Sequence, residues 1–335
     1  MKSLVVHTVA LVVGAALAWS VADDGKKKGG ADDAEVVVVS GAALTRATLM
    51  TPGGTAVVEP QPKESGRLPA VRLTRQVVDE KLAPQAKESE APGDAGVDEV
   101  ELPMVERTFV FPGGSTVTRA LEGLLPLKAR RVLTDVAPDR LPAMGLAEPK
   151  SALTLVVDGK EHTFDVGEKT YGNTARYLRK RGESDVLLVE NSALAGLEGT
   201  ETKLSERRLV TVAPEKILTA TIARDGKERA FTHQEREQAA KRFFAPRETP
   251  DEKSDEADAV VSTLRKLRAR EYLEERPTEA PVVTLRLERE GGAPIVVALF
   301  PTVDGSALLQ VDEWTARITE AQAKDLDDDT RAALP

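Results

Sequence analysis

The chain has 335 residues, of which 41% are hydrophobic and 30% charged, with a formal net charge of −9. That length can bury one large core or two modest ones, and an acidic chain without a long basic patch is a poor nucleic-acid binder. Cysteine is absent, which excludes disulfides, thiolate catalysis, Cys-ligated zinc and a lipidated cysteine anchor.

Leu4–Val21 is a mostly apolar run of 18 residues behind Met1-Lys2. As a helix it spans roughly 27 Å, enough for a bilayer core. Trp19 stands where an interfacial aromatic would, and Ser20-Val21-Ala22 offers a small-x-small cleavage site. Residues 1–22 therefore read as a membrane anchor or a signal segment, and either one exports the chain from residue 23 onward. Lys26, Lys27 and Lys28 disagree, because positive charge prefers the cytoplasmic side. Residues 23–35 are rich in Asp, Gly, Lys and Ala and read as a flexible tether.

Hairpin signals recur downstream. Pro52-Gly53-Gly54, Asp158-Gly159, Asp225-Gly226, Gly291-Gly292 and Asp304-Gly305 each separate alternating apolar runs, so antiparallel sheets are expected. The polar stretch 83–101 carries Pro, Gly, Asp and Glu and reads as a loop insertion. Three helices are predicted. Ser115–Leu133 is capped by Ser115 and weakened at Gly123 and Pro126. Gln234–Phe243 is shorter. Asp255–Glu275 has Ala257, Val260, Val261, Leu264 and Leu267 on one face behind a Ser254/Asp255 cap.

A shift of 140 residues superposes Leu124 on Leu264, Leu127 on Leu267, Ala129 on Ala269, Arg130 on Arg270 and Leu133 on Leu273. A hairpin precedes each helix, and a Pro-containing loop and a strand meander come after it, as expected of an internal duplication. The predicted fold class is α+β: two repeated units, 36–212 and 213–330, each an antiparallel sheet packed by one main helix, after an N-terminal membrane helix.

Met144-Gly145-Leu146-x-x-Pro149, Leu153-Thr154-Leu155, Asp158-Gly159, Val166-Gly167, Arg176-Tyr177 and Val186-Leu187-Leu188-Val189 give the stretch from about 121 to 267 a resemblance to the bacterial family called domain of unknown function 4340. Phe243-Phe244-x-Pro246 stands where that family has an aromatic followed by Pro, without its common Trp, and the insertion at 83–101 is a second departure. The resemblance implies one N-terminal membrane helix and the company of an ABC-type transporter and its gliding-motility-like auxiliary subunit. It carries over no catalytic or ligand residue.

A search for chemistry returns little. His7, His162 and His233 are scattered, with His162 expected to face solvent. No nucleophile elbow, dinucleotide fingerprint or phosphate-cradling loop occurs. Asp325–Asp329 reads as a solvated acidic tail rather than a cation loop. The residues nominated for partner binding are Tyr171 and Asn173, on a turn, and Arg265 and Arg268, on the predicted second main helix. No catalytic residue, metal ligand or cofactor is nominated. The expectation is a non-enzymatic, single-pass protein of the bacterial inner membrane, its body in the periplasm, whose partners are protein subunits of a transporter. The alternatives are an exported carboxylate-dependent hydrolase and a periplasmic ligand-binding protein freed by signal cleavage.

Overall fold

The computed structural model describes residues 35–62, 65–78, 103–301 and 306–334. The N-terminal apolar run, most of the tether, the 83–101 insertion and the Asp304-Gly305 turn lie outside them. Among the described residues no helix is long and apolar enough to cross a membrane.

Period-two alternation dominates the chain and it builds two antiparallel sheets. The first holds β1 (Val36–Val39), β2 (Leu44–Thr51), β3 (Gly54–Glu59), β4 (Ala70–Val78), β5 (Met104–Pro112), β6 (Leu127–Leu133), β7 (Ser151–Val157), β8 (Lys160–Lys169), β9 (Ala175–Lys180) and β10 (Val186–Glu190). They lie in the order β1-β6-β10-β9-β8-β7-β2-β3-β4-β5. The second holds β11 (Ile217–Arg224), β12 (Lys227–Gln234), β13 (Phe243–Pro246), β14 (Glu271–Leu273), β15 (Val283–Arg289), β16 (Ile295–Leu299), β17 (Ser306–Val311) and β18 (Trp314–Thr319). Their order is β13-β12-β11-β15-β16-β17-β18-β14. β7 shows the governing pattern: Leu153, Leu155 and Val157 point into the first core while Ala152, Thr154 and Val156 face outward. Asp158-Gly159 and Asp225-Gly226 both take positive φ, as a two-residue hairpin turn requires.

The α+β expectation of one main helix on each sheet is overturned. Eighteen strands carry the described body and the helices are short. The first sheet is covered by α1 (Ser115–Leu124), with the brief α2 (Asn191–Ala195) and α3 (Glu201–Leu204) beside it. The second is covered by two helices, α4 (Asp255–Lys266) and α5 (Glu320–Ala333), packed on each other. Both sheets lie within one compact unit, Glu35–Pro335.

The helices are shorter than their periodicity predicts, for reasons of packing. α1 stops at Leu124 because Pro126 has no N–H to continue it; the residues beyond become β6, an interior strand between β1 and β10. Gly123 belongs to packing rather than fraying: a Cβ there would lie 3.0 Å from the Ala193 Cβ, so its absence lets α1 meet α2. Gln234–Phe243 is no helix. β12 runs to Gln234 and Phe243 opens β13, where Phe244 and Ala245 are buried. α4 ends at Lys266 because the next residues pair outward instead: Leu209 N–H donates to Leu267 O and Ala269 N–H to Arg207 O. Helical propensity in Arg268–Glu275 loses to these long-range bonds. Asp325–Asp329 is not a solvated tail but the middle of α5, opened by a capping box of Thr319 and Gln322. Its Leu326 is buried, and Asp329 accepts from Thr263 of α4 at 2.7 Å.

The motifs that carry the family resemblance meet in space. Met144-Gly145-Leu146 ends a 3₁₀ turn, with Gly145 in the left-handed conformation and Leu146 fully buried. It docks where β8 shifts register at Val166–Lys169. A Cβ on Gly167 would lie 2.1 Å from the Met144 carbonyl oxygen, so that position tolerates only glycine. Arg176 then donates to Gly167 O at 3.0 Å and pairs with Glu198. Gly167→Ala is expected to cost about 1–3 kcal/mol through forced backbone movement. Urea denaturation checks it, and an unchanged midpoint would refute the close approach.

Candidate functional site

Three places gather polar chemistry. The first is the border between the sheets. β5, the edge of the first sheet, lies against β14, the edge of the second. The connector at 204–209 threads this border. Leu204 O accepts from Gly114, Glu206 N–H donates to Pro112 O at 2.8 Å, and Arg207 reaches across with Nε to Ala269 O (2.9 Å) and Nη2 to Arg270 O (2.6 Å). Tyr272 of β14 packs against both apolar cores, donates its hydroxyl to Glu206 O at 2.6 Å and meets Trp314 edge to face. Burial raises the Tyr272 phenol, and nearby Glu206 adds to it. Glu201 of α3 also sits here. Burial pushes its carboxyl up, Arg207 opposes this, Glu271 adds to it and the Tyr272 N–H lowers it. Arg317 Nε lies 3.5 Å from Glu271 without forming a hydrogen bond.

The second is a buried histidine. His233 of β12 stacks on Phe244 of β13, with ring centroids 4.2 Å apart and planes 8° from parallel, and its Nδ1 lies 3.0 Å from Ile217 O. Burial lowers its pKa; the Ile217 carbonyl and Asp258 oppose this, while Arg242 and Arg236 reinforce it. Asp258 of α4 accepts from Phe244 N at 2.9 Å, and burial raises its carboxyl.

The third is a depression of about 300 Å³ beside α5. Leu299, Phe300 and Ala323 give it an apolar floor, and Arg224, Lys324 and Arg331 line its rim. Arg224 is held by Asp327 and, at 3.1 Å, by Asp225. Burial alone would lower its pKa, but these two carboxylates outweigh burial and raise it. Its charge is thus already matched.

The nominated partner-binding residues are dispersed. Tyr171 is fully exposed on the turn between β8 and β9. Asn173, on the same turn, has φ +58° and gives its N–H to Thr170 O. Arg265 is exposed near the end of α4, and Arg268 is exposed just beyond it, in a bridge opposite Arg208. No hydrogen bond or ion pair joins the two pairs. His162 is half-buried on β8 opposite Leu155, and His7 lies outside the described residues. Among the described residues no three His, Asp or Glu side chains are placed to hold a metal ion. The border cluster escapes sequence reasoning because its members span 201 to 317 with no local spacing to mark them.

The described body is thus β-rich, two antiparallel sheets whose edge strands β5 and β14 lie against each other. The model of the family described as domain of unknown function (DUF4340) matches residues 113–288, and the chain belongs to that family. The match runs from the residues before α1 into β15 and so takes in parts of both sheets. No curated protein and no solved structure matches the chain significantly.

The site geometry sets two expected outcomes. Tyr272→Phe leaves the half-buried Glu206 carbonyl without its donor and should cost about 1–3 kcal/mol in a denaturation experiment; no loss would mean that the border bond is dispensable. The folded state holds His233 neutral, with its pKa below the ordinary 6.5. The unfolded chain therefore binds the proton first on acidification. The His233 contribution is complete above that ordinary value and is lost as pH falls through the lower folded one. The stability advantage of the native chain over His233→Phe should shrink as pH falls through and below the ordinary histidine range. Asp258, raised when folded, acts with the opposite sign, at the more acidic pH where carboxylates titrate. A constant difference across that range would refute the assignment.

Proposed function

We propose that this chain is a membrane-tethered accessory protein of the bacterial envelope. Its two-sheet body faces the periplasm and engages protein subunits of an ABC-type transporter complex by binding, without catalysing a reaction. Three things support the reading: the apolar run Leu4–Val21, the membrane helix and transporter neighbours that the family resemblance implies, and the exposed surface of the body. The observation that carries it is the far end of the β4–β5 ribbon, where Val78 (38% exposed) and Met104 (54%), opposite each other, put apolar side chains into solvent on one face and Val105 (38%) on the other. Clustered exposed apolar groups mark contact surfaces. A second reading, a binding protein for a small ligand, has the depression beside α5 in its favour.

The decisive test is affinity purification of the full chain from detergent-extracted membranes, with a reporter fused after Ala31 to fix topology. Co-purifying transporter subunits and a periplasmic reporter signal are expected. A reporter active only in the cytoplasm, or release of the body into the soluble fraction with no membrane partner, would overturn the reading.

A further inference from the structure

The free edge of β5 bears a charge arrangement that the fold leaves unresolved. β5 pairs with β4 without a register shift along all nine of its residues. Exposure changes along it: Met104–Thr108 are exposed, whereas Phe111 and Pro112 are buried. β5 ends the strand order of its sheet, so no described strand is hydrogen-bonded to its outer side.

Within that half Arg107 stands directly opposite Arg75 of β4, and Glu106 stands opposite Gln76. Like charges facing across an antiparallel pair are destabilising, and an opposite charge there is favourable. Neither arginine has a carboxylate partner among the described residues, and the Arg75 Nε is buried with no hydrogen-bond partner at all. Several arginines elsewhere on the strands do have carboxylate partners: Arg176 with Glu198, Arg179 with Asp165, Arg224 with Asp327. The Arg75–Arg107 pair departs from that matching on a strand whose outer edge offers backbone donors and acceptors.

We propose that the β5 edge is a docking strand for an extended segment of a protein partner, which adds to the sheet antiparallel and brings an acidic side chain opposite Arg107. The alternation on β5 dictates the rest of the partner's chemistry. Reading the partner from N to C, its residues meet Thr108, Arg107, Glu106, Val105 and Met104 in turn. The complementary order is any residue, acidic, basic, apolar, apolar. Main-chain hydrogen bonds supply the affinity and this order supplies the selectivity. A second copy of β5 does not fit. A two-fold axis through the sheet sets each residue opposite one an even number of positions away, so Glu106, the carboxylate of β5, never stands opposite Arg107, and pairing centred on either puts like charges against each other. The inference rests on the protein-partner reading and names its chemistry.

The test is fluorescence anisotropy of the full chain with a labelled peptide, Thr-Glu-Lys-Val-Val, flanked by uncharged residues, against its swapped form Thr-Lys-Glu-Val-Val. Tighter binding of the first by about tenfold is expected, since two cross-strand charge pairs change sign between the peptides. Arg107→Glu, with its fold checked by circular dichroism, should abolish or reverse the preference, and N-methylation of the peptide backbone should abolish binding. Equal binding of both peptides, or a preference untouched by Arg107→Glu, overturns the proposal. So does binding that emerges only when residues 79–102 are deleted, because the chain would then occupy its own edge. Co-purification of transporter subunits from cells does not depend on these peptides, so loss of one result leaves the other readable.

Discussion

The body depends on one contact that belongs to both of its halves. Tyr272 is the side chain that packs against the apolar core of each sheet, and its hydroxyl closes onto the carbonyl of Glu206 in the connector. The sheets meet along β5 and β14 and through their connectors, and directed bonds help to fix their relative placement. Arg207 supplies them, spanning two successive carbonyls after α4 with its planar guanidinium. Arg289 adds a second strap, donating to Ser65 O and Gly66 O across the two sheets. Each of these bonds ends on a backbone carbonyl of a connecting segment, so the connectors at 204–209 and 65–66 are tied to residues of the other sheet's half.

The edges also decide how the molecule presents its surface. An edge strand is a hazard unless something blunts it, and the body manages its edges in different ways. β13 ends in Pro246, which lacks a donor. β14 is three residues long and lies against β5. β1 is short and carries a register shift next to Val38. Only β5 is both long and regular, and only its first half is uncovered. A fold that shortens, kinks or covers three edges and extends the fourth has left that one available.

Much of this architecture is legible in the sequence, and the limits have physical causes. The hairpins at Asp158-Gly159 and Asp225-Gly226 are plain because a left-handed turn has a narrow residue requirement. α4 begins where Ser254 and the acidic first turn place it, and its buried face is the one that periodicity marks. Periodicity misplaces the helix ends at Leu124 and Lys266, where the strand or paired segment beyond is rich in Leu, Ala and Arg and suits helix as well as strand. α5 escapes it because Asp325–Asp329 looks solvated in isolation; only the folded chain brings Arg224 to Asp327 and Thr263 to Asp329. The β4–β5 ribbon carries no hairpin signal, since a long polar stretch joins its strands where hairpins usually have two to five residues. The border cluster is beyond reach in principle, because Glu201, Tyr272 and Arg317 are joined by tertiary structure alone.

Charge supplies the last step. A net charge of −9 implies an acidic surface, yet many of the described acidic groups are paired with an arginine. Asp165 takes both Arg179 and Arg181, and Asp327 takes both Arg224 and Arg331. Net charge thus says little about where a partner binds, because internally matched pairs present nearly neutral surface. The informative positions are those where matching fails. Arg75 and Arg107 fail together, face to face, on the one regular and uncovered strand edge. An isolated exposed arginine such as Arg265 costs nothing in water, whereas two guanidiniums held opposite each other repel in the free protein and lose that repulsion when a carboxylate arrives. A carboxylate brought there by the proposed docking strand would offset the like charges that face across the pair, which ties the unpaired charge to the open edge.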